Sequence, residues 1–203
     1  MIKVWDPLQR LMHWGLALSV AIAWLTAEET GIWHEWVGYV ALGLIGARLI
    51  WGIVGPRYAR FSQFIRGPKT VIDYTRDMFK MREKRYIGHN PLGAVMVGAL
   101  LLTTAATGVT GWLVAEPARL AMLPEIPAIV APAFADSDEG GYEYGESEEE
   151  LLGEVHEVLA SLLLLLIAAH IGGVIYASKR HRENLAAAMI TGKKPAPSEE
   201  DIA

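Results

Sequence analysis

The chain contains no cysteine. Disulfides, iron–sulfur ligation, thioether haem attachment and thiol nucleophiles are therefore excluded. A glycine-rich phosphate loop, a zinc helix motif, a Ser–His–Asp set and calcium-loop spacing are also missing, and nucleic acid is not an expected partner. Charge is scarce as well: 20% of the 203 residues are charged, against 52% hydrophobic. The formal net charge of −5 conceals a strong segregation of sign along the chain.

The apolar residues fall into four runs: Leu11 to Ala27, Trp33 to Val54, Leu92 to Ala115 and Leu151 to Ala177. Each is close to the ~20 residues a membrane helix requires. A soluble bundle would need polar faces that these runs lack, so the expected fold is an all-α membrane protein with a four-transmembrane-helix bundle. The first run lacks a small-residue cleavage site and reads as a retained span.

Basic residues set the orientation. Between the second and third runs lie Arg57, Arg60, Arg66, Lys69, Arg76, Lys80, Arg82, Lys84 and Arg85. Lys3 and Arg10 flank the first run, and Lys179, Arg180 and Arg182 follow the fourth. The loop at about 116–150 has Arg119 as its only basic residue, among acids that include Glu116, Glu125, Asp136, Asp138, Glu139, Glu143, Glu146, Glu148, Glu149 and Glu150. The short first loop holds Glu28 and Glu29 and no base. Both termini are thus expected to be cytoplasmic, with the acidic loop on the outer side of the membrane. That loop reads as a solvated, partly disordered segment and as a docking surface for a basic partner. Lys69 to Arg85 mixes Val71, Ile72, Tyr74, Met78 and Phe79 with bases, which predicts a short helix on the anionic inner lipid surface.

Four of the six histidines fall in or at the ends of apolar runs, where ionisable groups are costly and point to function. His13 lies near the cytoplasmic start of the first run and His34 near the outer start of the second. His156 and His170 share the fourth, fourteen residues apart. At about 100° and 1.5 Å per residue, that spacing puts both rings on one face, about 21 Å apart. Depth pairs His34 with His156 on the outer side and His13 with His170 on the inner side. Two imidazoles facing across a slot are the axial ligands of a b-type haem, so the expected cofactors are two haem b. Gly15, Gly38, Gly153, Gly172 and Gly173 would give a porphyrin room, although small residues also serve plain helix packing.

Arg48, fourteen residues after His34, falls at the depth of the inner pair. It could neutralise haem propionates or snorkel to the headgroups; Arg10, near His13, is a second propionate candidate. His89, in Gly88-His89-Asn90-Pro91, suits a hydrogen bond to a propionate or quinone better than an axial position. His181 has no partner at its depth. The tryptophans near span ends read as an interfacial belt.

Several motifs resemble one family. Val4-Trp5-Asp6-Pro7-Leu8, with Arg10 and His13-Trp14, looks like the opening of the bacterial cytochrome b561 proteins and of the b-type cytochrome subunit of nickel–iron hydrogenases. Arg48-Leu49-Ile50-Trp51-Gly52 and Tyr58-Ala59-Arg60-Phe61 resemble the end of that family's second span. Gly88-His89-Asn90-Pro91-Leu92-Gly93 resembles its approach to the third, and Gly153-Glu154 with His156-Glu157 and His170 its fourth. The resemblance implies four spans and two bis-histidine haems, on His13, His34, His156 and His170, exchanging electrons with membrane quinone. It covers residues 1–195 apart from the acidic loop, with 196–203 a polar tail. His181-Arg182-Glu183-Asn184-Leu185 and Met189-Ile190-Thr191-Gly192-Lys193 resemble members that serve soluble c-type cytochromes.

The expected activity is electron transfer between quinone and a periplasmic redox partner, as a subunit rather than a stand-alone enzyme. The partner is a c-type cytochrome or, alternatively, a hydrogenase or other dehydrogenase for which the chain is the membrane anchor; a homodimer is compatible. A haem-binding sensor or scaffold is the reading from another class, but the chain has no room for a soluble output domain. A proton or metal transporter is a third, and the internal repeats and broken helices usual there are not evident.

Overall fold

The computed structural model describes residues 1–27, 31–116, 118–119 and 144–202, the side chains of 144–149 excepted. Glu28, Glu29 and most of the expected acidic loop lie outside the described residues.

Four long helices form the body. α1 (Pro7–Leu25) begins at Asp6, whose carboxylate accepts from the Gln9 backbone N–H at 3.0 Å, with Pro7 in the first turn. An aspartate cap followed by proline is a strong start signal, because both settle backbone donors that the first turn leaves unused. α2 spans Ile32–Val54. α5 (Pro91–Val114) repeats the device of α1: Asn90 accepts from Gly93 N–H at 2.7 Å ahead of Pro91. α6 runs without interruption over Tyr144–Arg180. The last part of the expected acidic loop, 144–150, is therefore the first two turns of α6, a correction to the loop reading.

Among the described residues, three helices are long and apolar enough to cross a membrane: α2, α5 and Glu150–Arg180 of α6. α1 has 19 residues, about 28 Å at 1.5 Å each, but Gln9, Arg10 and His13 dilute the apolar character of its first turns. The helices pack in series: α1 on α2, α2 on α5, and α5 on α6. Neither α1 with α6 nor α2 with α6 forms an extensive backbone contact.

Between α2 and α5 the chain forms a 3-10 turn (Arg57–Ala59), the short α3 (Phe61–Phe64) and α4 (Pro68–Phe79). α4 occupies the first part of the helix predicted within Lys69 to Arg85, and the backbone leaves it through Met81 at a positive φ of 57°. It packs on α5, buries Tyr74 with its ring edge-on to Tyr86, and leaves Ile72 and Phe79 exposed.

The C-terminal residues fold back onto this end. α7 (Leu185–Thr191) is capped by Asn184 and stops at Gly192, whose φ of 78° favours glycine. β2 (Lys193–Lys194) then pairs antiparallel with β1 (Ile2–Lys3), Ile2 opposite Lys194. Residues 196–203, expected as a polar tail, include Ile202, which bridges to Tyr86. A small core of Val4, Trp5, Ile87 and Ala188 closes under these segments.

Candidate haem site

The helix order brings the four span histidines together in two pairs. His34 on α2 faces His156 on α6, with ring centres 6.2 Å apart and planes at 76°. His13 on α1 faces His170 on α6 at 6.4 Å and 52°. A metal ion about 2 Å from one nitrogen of each ring, so roughly 3 Å from each ring centre, holds the centres about 6 Å apart. Both pairs have that separation, and each joins helices that do not otherwise pack closely. Because α6 is continuous, the fourteen residues between His156 and His170 set the two pairs about 21 Å apart along it.

In the His34/His156 pair, backbone carbonyls orient the rings. His34 Nδ1 lies 2.9 Å from the Ala23 carbonyl oxygen. His156 Nδ1 lies 3.0 Å from the Thr107 carbonyl oxygen and 3.1 Å from the Thr110 hydroxyl. A carbonyl oxygen only accepts, so Nδ1 carries the proton in both rings and Nε2 keeps its lone pair for a metal. Metal-ligating histidines are commonly held in this way. In the other pair, His13 Nδ1 is buried without a hydrogen-bond partner.

Space beside the pairs follows the glycines in part. A Cβ on Gly38, Gly153, Gly172 or Gly173 would meet nothing within 4 Å. Gly15 is different: its added Cβ would lie 3.0 Å from Leu44 Cδ1. Close packing of α1 on α2 accounts for Gly15, not room for a porphyrin. Gly111, which no sequence motif marks, lies against the His156 ring; a Cβ there would be 2.8 Å from His156 Cε1. Its only sequence signal is the face of small residues at Thr103, Thr107, Gly108 and Gly111 on α5.

The family model of prokaryotic cytochrome b561 matches residues 4–192. The chain belongs to the prokaryotic cytochrome b561 family. It is thus a member of a family of membrane b-type cytochromes that bind haem and transfer electrons. No curated protein and no solved structure matches the chain. Two imidazole pairs at metal-bridging separation, with open space beside them, fit the family's cofactor.

The remaining polar candidates of this b561 chain gather at the end that carries both termini. Arg48 is 3% exposed, so it does not snorkel to the headgroups. Its Nη2 donates to the Ala59 carbonyl at 3.1 Å, its guanidinium lies 4.7 Å from the Phe61 ring centre, and its Nη1 is buried without a partner. Arg10 donates from Nη1 to the Ile190 carbonyl, which ties α1 to α7, while its Nε is buried and unpartnered. His89 lies between Phe64 and Trp5, with ring centres at 4.4 and 4.8 Å. Burial first, and the nearby Arg48 charge second, push its pKa down to about 3. The ring is therefore neutral at physiological pH. His181, just past α6, faces no other histidine ring among the described residues.

Proposed function

We propose that the chain crosses the bilayer four times with both termini cytoplasmic, holds two b haems, and carries electrons between membrane quinone and a periplasmic redox partner. The inner haem would be held by His13 and His170, and the outer haem by His34 and His156. The observation that carries this reading is the repeated pair of imidazoles, 6.4 and 6.2 Å between ring centres, each with one member on the continuous α6. Haem supplies reversible one-electron oxidation and reduction at its iron. The chain supplies four ligands, fixes two of them through Ala23 and Thr107, and sets the distance between the sites. With ligands about 21 Å apart along α6, the macrocycle edges are much closer than the irons, which suits transfer across the membrane.

Four spans are supported by the length of α1 and by its place beside α2, and the orientation by the basic loops. Arg48 and Arg10 serve as propionate partners of the inner haem. An apolar groove of ≈ 560 Å³ lined by Pro7, Arg10, Leu11, Trp14, Met189 and Ile190 supports a quinone site beside it. Trp14, at one wall, meets the His13 ring edge-on at 5.1 Å. The exposed stripe Ile65, Lys69, Ile72, Arg76 and Phe79 alternates apolar and basic residues, which suits the anionic lipid surface. The periplasmic partner is a c-type cytochrome steered by the acidic loop.

A reduced-minus-oxidised spectrum with haem quantitation on the purified protein tests the reading. Two low-spin b haems per chain are expected; a haem-free protein would overturn it.

A further inference from the structure

Arg48 is a charge without a counter-charge. It is buried, yet no carboxylate among the described residues comes within ion-pair distance of it. Asp6, at the start of α1, accepts instead from Trp51 Nε1, at 3.2 and 3.3 Å to its two oxygens. One neutral carbonyl and one aromatic face do not offset the removal of a guanidinium from water. Its free Nη1 therefore marks the place of an anion.

His89 presents the same demand from a neighbouring element. Its Nδ1 is buried and has no partner, while Trp5 and Phe64 on either side hold the ring in one orientation. Phe64 packs on Phe61 at 5.8 Å, and Phe61 carries the Arg48 guanidinium, so one aromatic cluster sets both groups. A neutral imidazole has one N–H to donate. The unpartnered nitrogens of His89 and Arg48 occur at the same end of the bundle as the orphaned Nδ1 of His13.

We infer that Arg48 and His89 together form a two-donor anion cradle that receives a carboxylate of the inner haem. The inference rests on the two-haem reading and adds His89 as a positioning residue that touches the cofactor's carboxylate and not its iron. Arg48 supplies the charge, and His89 supplies direction through a ring packed against Trp5 and Phe64. A carboxylate neutralised in this way favours the ferrous iron. Loss of either donor lowers the potential of that haem alone.

The test is redox potentiometry with resonance Raman spectroscopy on haem-loaded protein, comparing wild type, H89F, H89Q and R48Q. An H34A background, which keeps only the inner haem, assigns the signals. H89F preserves an aromatic ring between Trp5 and Phe64 and removes the nitrogens. It should retain both haems and the bis-histidine spectrum, lower the inner midpoint potential and shift the propionate bending mode. H89Q restores a donor and should return both readouts toward wild type, and R48Q should lower the same potential. If two haems are present and H89F leaves potentials and propionate modes unchanged, the cradle is overturned and the two-haem reading stands. If H89F and R48Q act on different haems, the cradle is likewise overturned. If H89F does not fold, H89Q decides: a propionate mode lost despite the restored donor overturns the cradle. A wild-type protein without haem at the inner pair overturns both.

Discussion

Gly111 and His156 show how much of the candidate haem site depends on a missing atom. The Cβ of an alanine at position 111 would lie 2.8 Å from His156 Cε1, inside van der Waals contact. Gly111→Ala should therefore displace the ring from the Thr107 carbonyl and remove most of the outer haem while sparing the inner one, as judged by haem per chain and the reduced spectrum. His34→Ala and His156→Ala should abolish that same haem, and His13→Ala and His170→Ala the inner one. Loss of the same haem from His34 and His170 variants would refute the pairing. The four histidines were readable because 3.6-residue periodicity and depth are both properties of sequence position. Gly111, Thr107 and the Ala23 carbonyl were not, since no local pattern reveals which backbone atom a distant ring will meet.

At the level of elements, a buried ionic network joins the segments beyond the spans, beside the small apolar core. Glu183 is 9% exposed and lies 3.1 Å from both Arg85 and Lys194; Arg85 also meets Asp201 at 2.7 Å. Removing one member of a buried ionic group leaves the others uncompensated, a loss of about 3–5 kcal/mol where fully buried. Glu183→Ala should then destabilise this end by roughly 3 kcal/mol in thermal or denaturant unfolding. Asp201 gives the network a pH limit. Burial pushes its carboxyl upward, but the Ser198 N–H and the Arg85 guanidinium outweigh burial and hold it below the ordinary 3.8. Its folded pKa lies below the unfolded one, so its contribution is complete above about pH 4 and lost as pH falls through the folded value. Hydrogen-exchange protection factors, corrected for the intrinsic rate at each pH, should fall at Ile87 and Ile202 below pH 4 and stay high at neutrality. The long helices were legible from apolar length, and α4 from its mixed spacing. The pairing of Ile2–Lys3 with Lys193–Lys194 was not, because two-residue strands brought together across nearly the whole chain leave no periodic trace.

For the whole molecule, the natural absence of cysteine makes topology directly measurable. Ser62→Cys, in the basic loop, should resist a membrane-impermeant maleimide in intact spheroplasts. Glu116→Cys, past α5, should be labelled. The reverse pattern would invert the proposed orientation. Partner reduction that slows as salt rises would match steering by the acidic loop, since exposed charges are screened over about 10 Å at 0.1 M. The serial packing of α1, α2, α5 and α6 agrees with a bundle, but α1 is less apolar than α2, α5 and the Glu150–Arg180 stretch of α6, because it carries Gln9, Arg10 and His13 in its opening turns. Those three polar residues dilute the hydropathy signal of the helix that carries the candidate ligand His13.

The unbroken course of α6 has an evolutionary consequence. One helix supplies a histidine to each pair, so the stretch from His156 to His170 acts as a ruler with no slack. A single inserted or deleted residue there would turn one histidine by about 100° relative to the other and empty one pair. Exposed positions in that stretch tolerate point substitutions that keep it helical, whereas length changes are confined to the connections outside the spans. Divergence of this cytochrome should be recorded in the composition of α6 and in the length of its loops, never in the count of residues between its two histidines.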